Sequence, residues 1–170
     1  MKSKHKQPAP RPARFWPALG LAAITGARAT SGPMFLSDYL SHRALAPGMA
    51  GSPLRFLARP GVASVLKLLT AGELVGDKLP ATEDRIVPQQ LSMRAASGAL
   101  VGATWYKSQG GSALQGALVG SLGAVAATFL TFYLRKGIST STGVDTSTVG
   151  AGEDALVLAS GVALTPRPRP

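Results

Sequence analysis

Apolar residues in this chain gather in long runs, not in strand-like alternation. The longest run is uncharged: Ser112 to Leu134, SALQGALVGSLGAVAATFLTFYL, 23 residues. As a helix it would be about 35 Å long at 1.5 Å per residue, against about 30 Å for the hydrocarbon core of a bilayer. Lys107 stands before it, and Arg135 and Lys136 follow, the basic flanks expected of a membrane span. Three further stretches read as helical. Phe15 to Ser37 is apolar apart from Arg28, Leu54 to Leu79 is broken by Pro60, and Leu91 to Tyr106 is entered through Arg94. The pattern predicts an all-α fold: a small polytopic transmembrane helical bundle with short Gly/Ala-rich helices.

The polar segments set the organisation around those helices. Residues 1–14 read as a disordered basic tail, and residues 15–136 as the transmembrane helical domain. A Ser/Thr/Gly-rich linker is expected over 137–152, a short apolar helix over 153–164, and a Pro/Arg tail over 165–170. The short apolar piece is too brief for an ordinary span, so a re-entrant or interfacial placement is expected. Within 15–136, residues 41–53 read as a loop and 81–90 as a polar connector.

Two similar segments lie 18 residues apart: Gly98-Ala-Leu-Val-Gly102 and Gly116-Ala-Leu-Val-Gly120, the second extended by Gly123. Glycines four apart share one helix face and let two backbones approach closely in lipid. Joined at Gln109-Gly110-Gly111, the two helices are expected to form a tight antiparallel hairpin.

Composition sharpens this picture. Only 15% of residues are charged and 45% are hydrophobic, against roughly 25% charged in soluble domains. The net charge is +10, but the basic residues form no single stripe and lack interleaved aromatics, so nucleic acid is not the expected partner. Anionic lipid headgroups suit the N-terminal Lys2, Lys4, Lys6, Arg11 and Arg14 better. With four passes, the inner side would hold those five with Lys78, Arg85, Arg94, Arg135 and Lys136. The outer side would hold Arg43, Arg55, Arg59 and Lys107. That count puts the N-terminus in the cytoplasm, in a multi-pass protein of the bacterial inner membrane. A competing reading takes residues 1–29 as a secretory signal cleaved after Ala27-Arg28-Ala29.

The chain has no Cys and no Asn, which excludes disulfides, thiolate metal sites and N-glycosylation. Candidate chemistry lies in charges set among apolar residues. Arg28 sits in the first apolar run, where a charge normally faces a partner or water. Glu73 and Asp77 are four apart and share a helical face; Lys78, Arg85 and Arg94 are candidate cations beside them. These six form a candidate intramembrane or interfacial polar cluster. Glu153 and Asp154 open the last apolar piece, as helix N-terminal carboxylates or as partners for Arg94 or Arg28. Gly72 to Lys78 is one residue short of a phosphate loop and lacks its Ser/Thr. Serine-triad chemistry has neither the nucleophile motif nor a base beyond His42.

GARATSGP (26–33), GELVGDKLPATEDR (72–85), MRAASGALVGA (93–103) and GEDALVL (152–158), in that order, resemble the bacterial membrane-protein family called domain of unknown function 4126, over roughly residues 18–164. The resemblance implies a small integral membrane protein with several short Gly-rich helices. It carries over no catalytic residue.

A protein without enzymatic activity, cofactor or metal is therefore expected, with a channel or transport role as its most concrete form. The expected assembly is a homo-oligomer or a complex with a membrane partner subunit; the alternatives are a scaffold that binds lipid or a partner subunit, and a metal-dependent enzyme on lipid headgroups using Glu73, Asp77 and Asp84.

Overall fold

The computed structural model describes residues 11–76 and 86–166, and every regular element among them is helical. In chain order these are α1 (Arg11–Ala27), α2 (Ser31–Ser41), α3 (Pro47–Ala50), a 3₁₀ turn (Pro53–Ala58), α4 (Pro60–Gly76), α5 (Pro88–Ser108), α6 (Ala113–Thr142) and α7 (Thr146–Leu164). Pro60 and Pro88 each open a helix, where a missing N–H costs nothing. Gly110 (φ +72°) turns α5 into α6, and Gly143 (φ +68°) ends α6 with its N–H on the Ser139 carbonyl. Both adopt the left-handed conformation that a side chain would oppose.

α5 and α6 form an antiparallel pair at very close range. A methyl group placed on Gly102 would meet the Gly116 carbonyl oxygen, and one on Gly120 would meet the Gly98 carbonyl oxygen. Gly123 lies on a neighbouring face of α6, where its methyl would reach Ala22 and Leu19 of α1 at 3.0 Å. Gly26 of α1 lies in turn against the Ala124 to Thr128 backbone of α6. Small residues on three helices thus bring α1, α5 and α6 together as the central layer.

The run from Phe15 to Ser37, expected as one span, is two helices that double back. Gly32 of α2 packs on Leu21 and Thr25 of α1, which a continuous helix would hold about 11–16 Å away. Tyr39 returns to Trp105, with ring centroids 5.7 Å apart, and the Trp105 indole donates to the Arg14 carbonyl at 3.1 Å. Arg14, Arg43, Lys107 and the α5–α6 turn therefore lie at one end of the molecule, the turn end. The side-by-side alternation expected from the sequence, with Arg14 and Lys107 on opposite sides, is corrected by this fold-back.

α4 runs antiparallel to α2, away from the turn end. α7 starts beside Arg135 at the far end and finishes where the Pro166 carbonyl accepts from Arg43 at 3.3 Å. The segment expected as a linker, 137–152, is mostly helical. Thr140, Ser141 and Thr142 donate to the carbonyls of Lys136, Gly137 and Ile138 at 2.7–2.8 Å, so their hydroxyls continue the helix instead of competing with it. α7 begins at Thr146, so the apolar piece expected from 153 is the second half of a 19-residue helix.

One described helix, α6, is long and apolar enough to cross a membrane. Only 22% of its most apolar 18-residue stretch is buried, so most of that stretch faces outward. Leu114, Leu118, Leu122 and Leu130 on α6, Leu68 and Val75 on α4, and Leu156 and Val162 on α7 all lie exposed.

Candidate functional site

The turn between α1 and α2 is three residues long and lies deep in the molecule. It sits beside Thr128 of α6, 16 residues from the start of the apolar run at Ser112, or about 24 Å along the helix axis. Breaking a helix there exposes the last carbonyls of α1 and the first N–H groups of α2, which have no intrahelical partners. The structure meets each set with a charge from another helix.

Arg94 of α5 is 2% exposed and donates through Nη1 to the carbonyls of Gly26 (2.7 Å) and Ala27 (2.9 Å). The Thr128 hydroxyl also donates to Gly26 at 3.0 Å. Glu73 of α4 accepts from the N–H groups of Ala29 (2.8 Å) and Thr30 (2.9 Å) and from the Thr30 hydroxyl (2.5 Å). A cation thus faces the negative end of α1 and an anion the positive end of α2, the favourable sense for both helix dipoles. Arg94 Nη2 stands 4.0 Å from Glu73 Oε1, which joins the two caps.

Arg28, on the turn itself, is 2% exposed. Its Nε donates to Asp154 Oδ1 of α7 at 2.8 Å, and its Nη2 bonds the same oxygen. The site therefore holds two cations and two anions, from α4, α5, α7 and the α1–α2 turn, with formal charges that cancel. Removing one member would leave another charge buried without its counterpart. Two further ion pairs join helices. Arg135 of α6 binds Glu153 of α7, with Nε at 3.2 Å, and Lys67 of α4 binds Asp38 of α2 at 2.5 Å.

Of the six polar residues singled out from sequence, Arg28, Glu73 and Arg94 converge here. Asp77, Lys78 and Arg85 lie outside the described residues. Gly98, Gly102, Gly116, Gly120 and Gly123 pack the helices that carry Arg94 and Thr128. Asp154 belongs to the site and was weighed from sequence only as one optional partner for Arg28. Thr30 and Thr128 left no signal, because Ser and Thr recur along the whole chain.

The Glu73 carboxylate is occupied by three donors on the turn, so it is a cap rather than an open metal ligand. Among the described residues, no three His, Asp or Glu side chains gather. Two buried hydroxyls beside the caps, those of Ser31 and Thr70, have no hydrogen-bond partner among the described residues. Ser31 follows Thr30 on α2, and Thr70 is one turn before Glu73 on α4.

The described cations at the turn end include Arg14, Arg43, Arg55, Arg59 and Lys107, and Asp38 of the neighbouring α2 is engaged by Lys67. The far end holds Arg135 and Lys136 with Asp145 and Glu153.

The profile of the family described as "Domain of unknown function (DUF4126)" matches residues 16–168, so the chain belongs to that family. No curated protein and no solved structure matches the chain.

Proposed function

From that family membership and the geometry above, we propose that the chain is a polytopic integral protein of the bacterial inner membrane, not an enzyme, that acts as a small channel or transporter-like bundle. The observation that carries the reading is the inversion of polarity. Two arginines, a glutamate and an aspartate sit inside, while leucines and valines of α4, α6 and α7 face outward. In water that arrangement would be unfavourable on both counts; in lipid it is favourable on both.

The broken hairpin supports the transport reading. Non-helical backbone at membrane depth persists only where protein buries it or a cavity lines it. Half-helix ends meeting charged side chains at depth are the construction used to bind solutes in transporters. The unpartnered hydroxyls of Ser31 and Thr70 offer a polar solute two groups beside the caps. The charge asymmetry supports an orientation. The tails joined to the turn end carry Lys2, Lys4, Lys6, Arg11, Arg167 and Arg169 and no carboxylate, so the turn end and both termini face the cytoplasm.

The test is flux of protons and monovalent ions into vesicles holding the full chain. Glu73→Gln and Thr70→Val are expected to cut flux at least tenfold while the protein stays folded. Unchanged flux in both removes the transport role. The exposed Leu114, Leu118 and Leu122, spaced four apart along α6, favour the second reading, a scaffold for a partner subunit. A defined crosslinked partner together with no flux would support that one.

A further inference from the structure

α7 crosses α2 where Gly161 lies against the Phe35 ring. Beyond that crossing, toward the turn end, a cavity of about 460 Å³ opens between α2, α4 and the end of α7. Met34, Phe35 and Asp38 of α2 line it, with Lys67 of α4, Val162 of α7 and Thr165. It is separate from the capped turn: Asp38 is eight residues along α2 from Thr30, about 12 Å at 1.5 Å per residue.

Met34, Phe35 and Val162 supply apolar surface, and the Thr165 hydroxyl already donates to the Gly161 carbonyl at 2.7 Å. Charge among the described lining residues comes from one pair: Lys67 Nζ lies 2.5 Å from Asp38 Oδ1. Apolar walls with a single polar anchor are the ordinary makeup of a small-molecule site. The pair is unequal, and that selects the ligand. The Asp38 side chain is 14% exposed and that of Lys67 is 45% exposed. Lys67 can turn into water on its flexible stem. A ligand cation that takes its place on Asp38 leaves neither charge desolvated alone. An anion would have to draw Lys67 away from the more deeply buried carboxylate, which is the costly direction. Arg43 is engaged elsewhere, over the Tyr39 ring at 4.2 Å and on the Pro166 carbonyl at 3.3 Å.

We infer that this cavity binds an amphipathic organic cation, whose charge displaces the Lys67 ammonium from Asp38 and whose apolar body lies against Met34, Phe35 and Val162. Lys67 is then a built-in competitor for the site. The inference does not rest on transport.

The experiment is equilibrium dialysis of tetraphenylphosphonium against the full chain in detergent, with tetraphenylborate as the anion of the same shape. His42 Nδ1 stands 4.0 Å from Asp38 Oδ1, so the measurement is made at about pH 8.5, where an imidazole carries no charge. One saturable phosphonium site per chain is expected. Asp38→Asn should weaken it roughly tenfold through loss of the charge contact. Lys67→Met should tighten it severalfold, because the competitor is gone. Val162→Trp fills the cavity, leaves the pair in place and should abolish binding; it carries the test should either charge variant fail to fold. Three results overturn the site: no saturable binding, binding unchanged in Asp38→Asn or Val162→Trp, or binding weakened in a folded Lys67→Met. A tetraphenylborate site that Lys67→Met abolishes overturns it as well. None of these outcomes bears on the flux expected of Glu73→Gln and Thr70→Val, so the two readings fail separately.

Discussion

Replacing Gly102 by Ala gives a decisive test of how the bundle is held. In an exposed helix, Gly to Ala stabilises by up to about 1 kcal/mol. At Gly102 the new methyl would meet the Gly116 carbonyl oxygen and lie 2.9 Å from both the Gly116 carbonyl carbon and the Gly120 Cα. Carbon atoms rest at about 3.5–4.0 Å, and these neighbours are backbone, so α5 and α6 must part by roughly 1 Å along their length. Overpacking costs about 1–3 kcal/mol, and the high end applies where no side chain can swing aside. After subtracting the propensity gain, the net loss is about 2 kcal/mol, a fall in melting temperature of about 4–8 °C for a chain of this size. Gly72→Ala is the control. It sits on α4 with nothing within 4 Å of the added methyl, and it should raise the midpoint by about 1–3 °C. Both are read by circular dichroism melts in one detergent. A Gly102→Ala protein that melts at or above the wild type refutes the close-contact account of the hairpin.

The Arg28–Asp154 pair should behave as a unit: Arg28→Met or Asp154→Leu alone costs about 3–5 kcal/mol, and the double variant returns most of it. Additive losses in a denaturation cycle would show that the two side chains are not partners. Arg94→Leu is expected to cost at least as much, since it strips the Gly26 and Ala27 carbonyls and isolates Glu73; a melt within 2 °C of the wild type would contradict the capping role. Reporter fusions after Ala44 and Gln109 should report the same cytoplasmic side, and a fusion after Thr142 the opposite one. Different sides for 44 and 109 would dismantle the fold-back.

The glycine spacing of 98/102 and 116/120 made the α5–α6 pair legible, because close approach requires small residues at fixed intervals and few other patterns produce them. Arg28, Glu73 and Arg94 were legible as candidates because charges in apolar runs need partners. Their convergence was not, since it depends on the turn at 28–30. That turn interrupts an unbroken apolar run, and hydropathy does not change when a chain reverses inside the same surroundings. The signal that was available is local: Thr30-Ser31-Gly32-Pro33 carries a small residue for the close crossing on Thr25 and a proline in the first turn of α2. Residues 137–142 misled for a different reason. Ser and Thr usually favour loops, but here their hydroxyls bond carbonyls three or four residues back.

The capped turn and the exposed leucines are two consequences of one constraint. A helix that reverses at depth must satisfy its freed carbonyls and N–H groups from within the protein. Neutral side chains would suffice for the count of bonds; Thr128 already serves Gly26 in that way. Charged side chains do more, because each also opposes the dipole of the half-helix it meets. Their burial is tolerable only if they cancel, and Arg94 with Glu73, and Arg28 with Asp154, do so across three helices and the α1–α2 turn. Cancellation across helices ties the position of α4, α5 and α7 to the tip of one hairpin. Loss of any one of these charges would therefore loosen the others, so the turn and the three helices that cap it stand or fall as one unit.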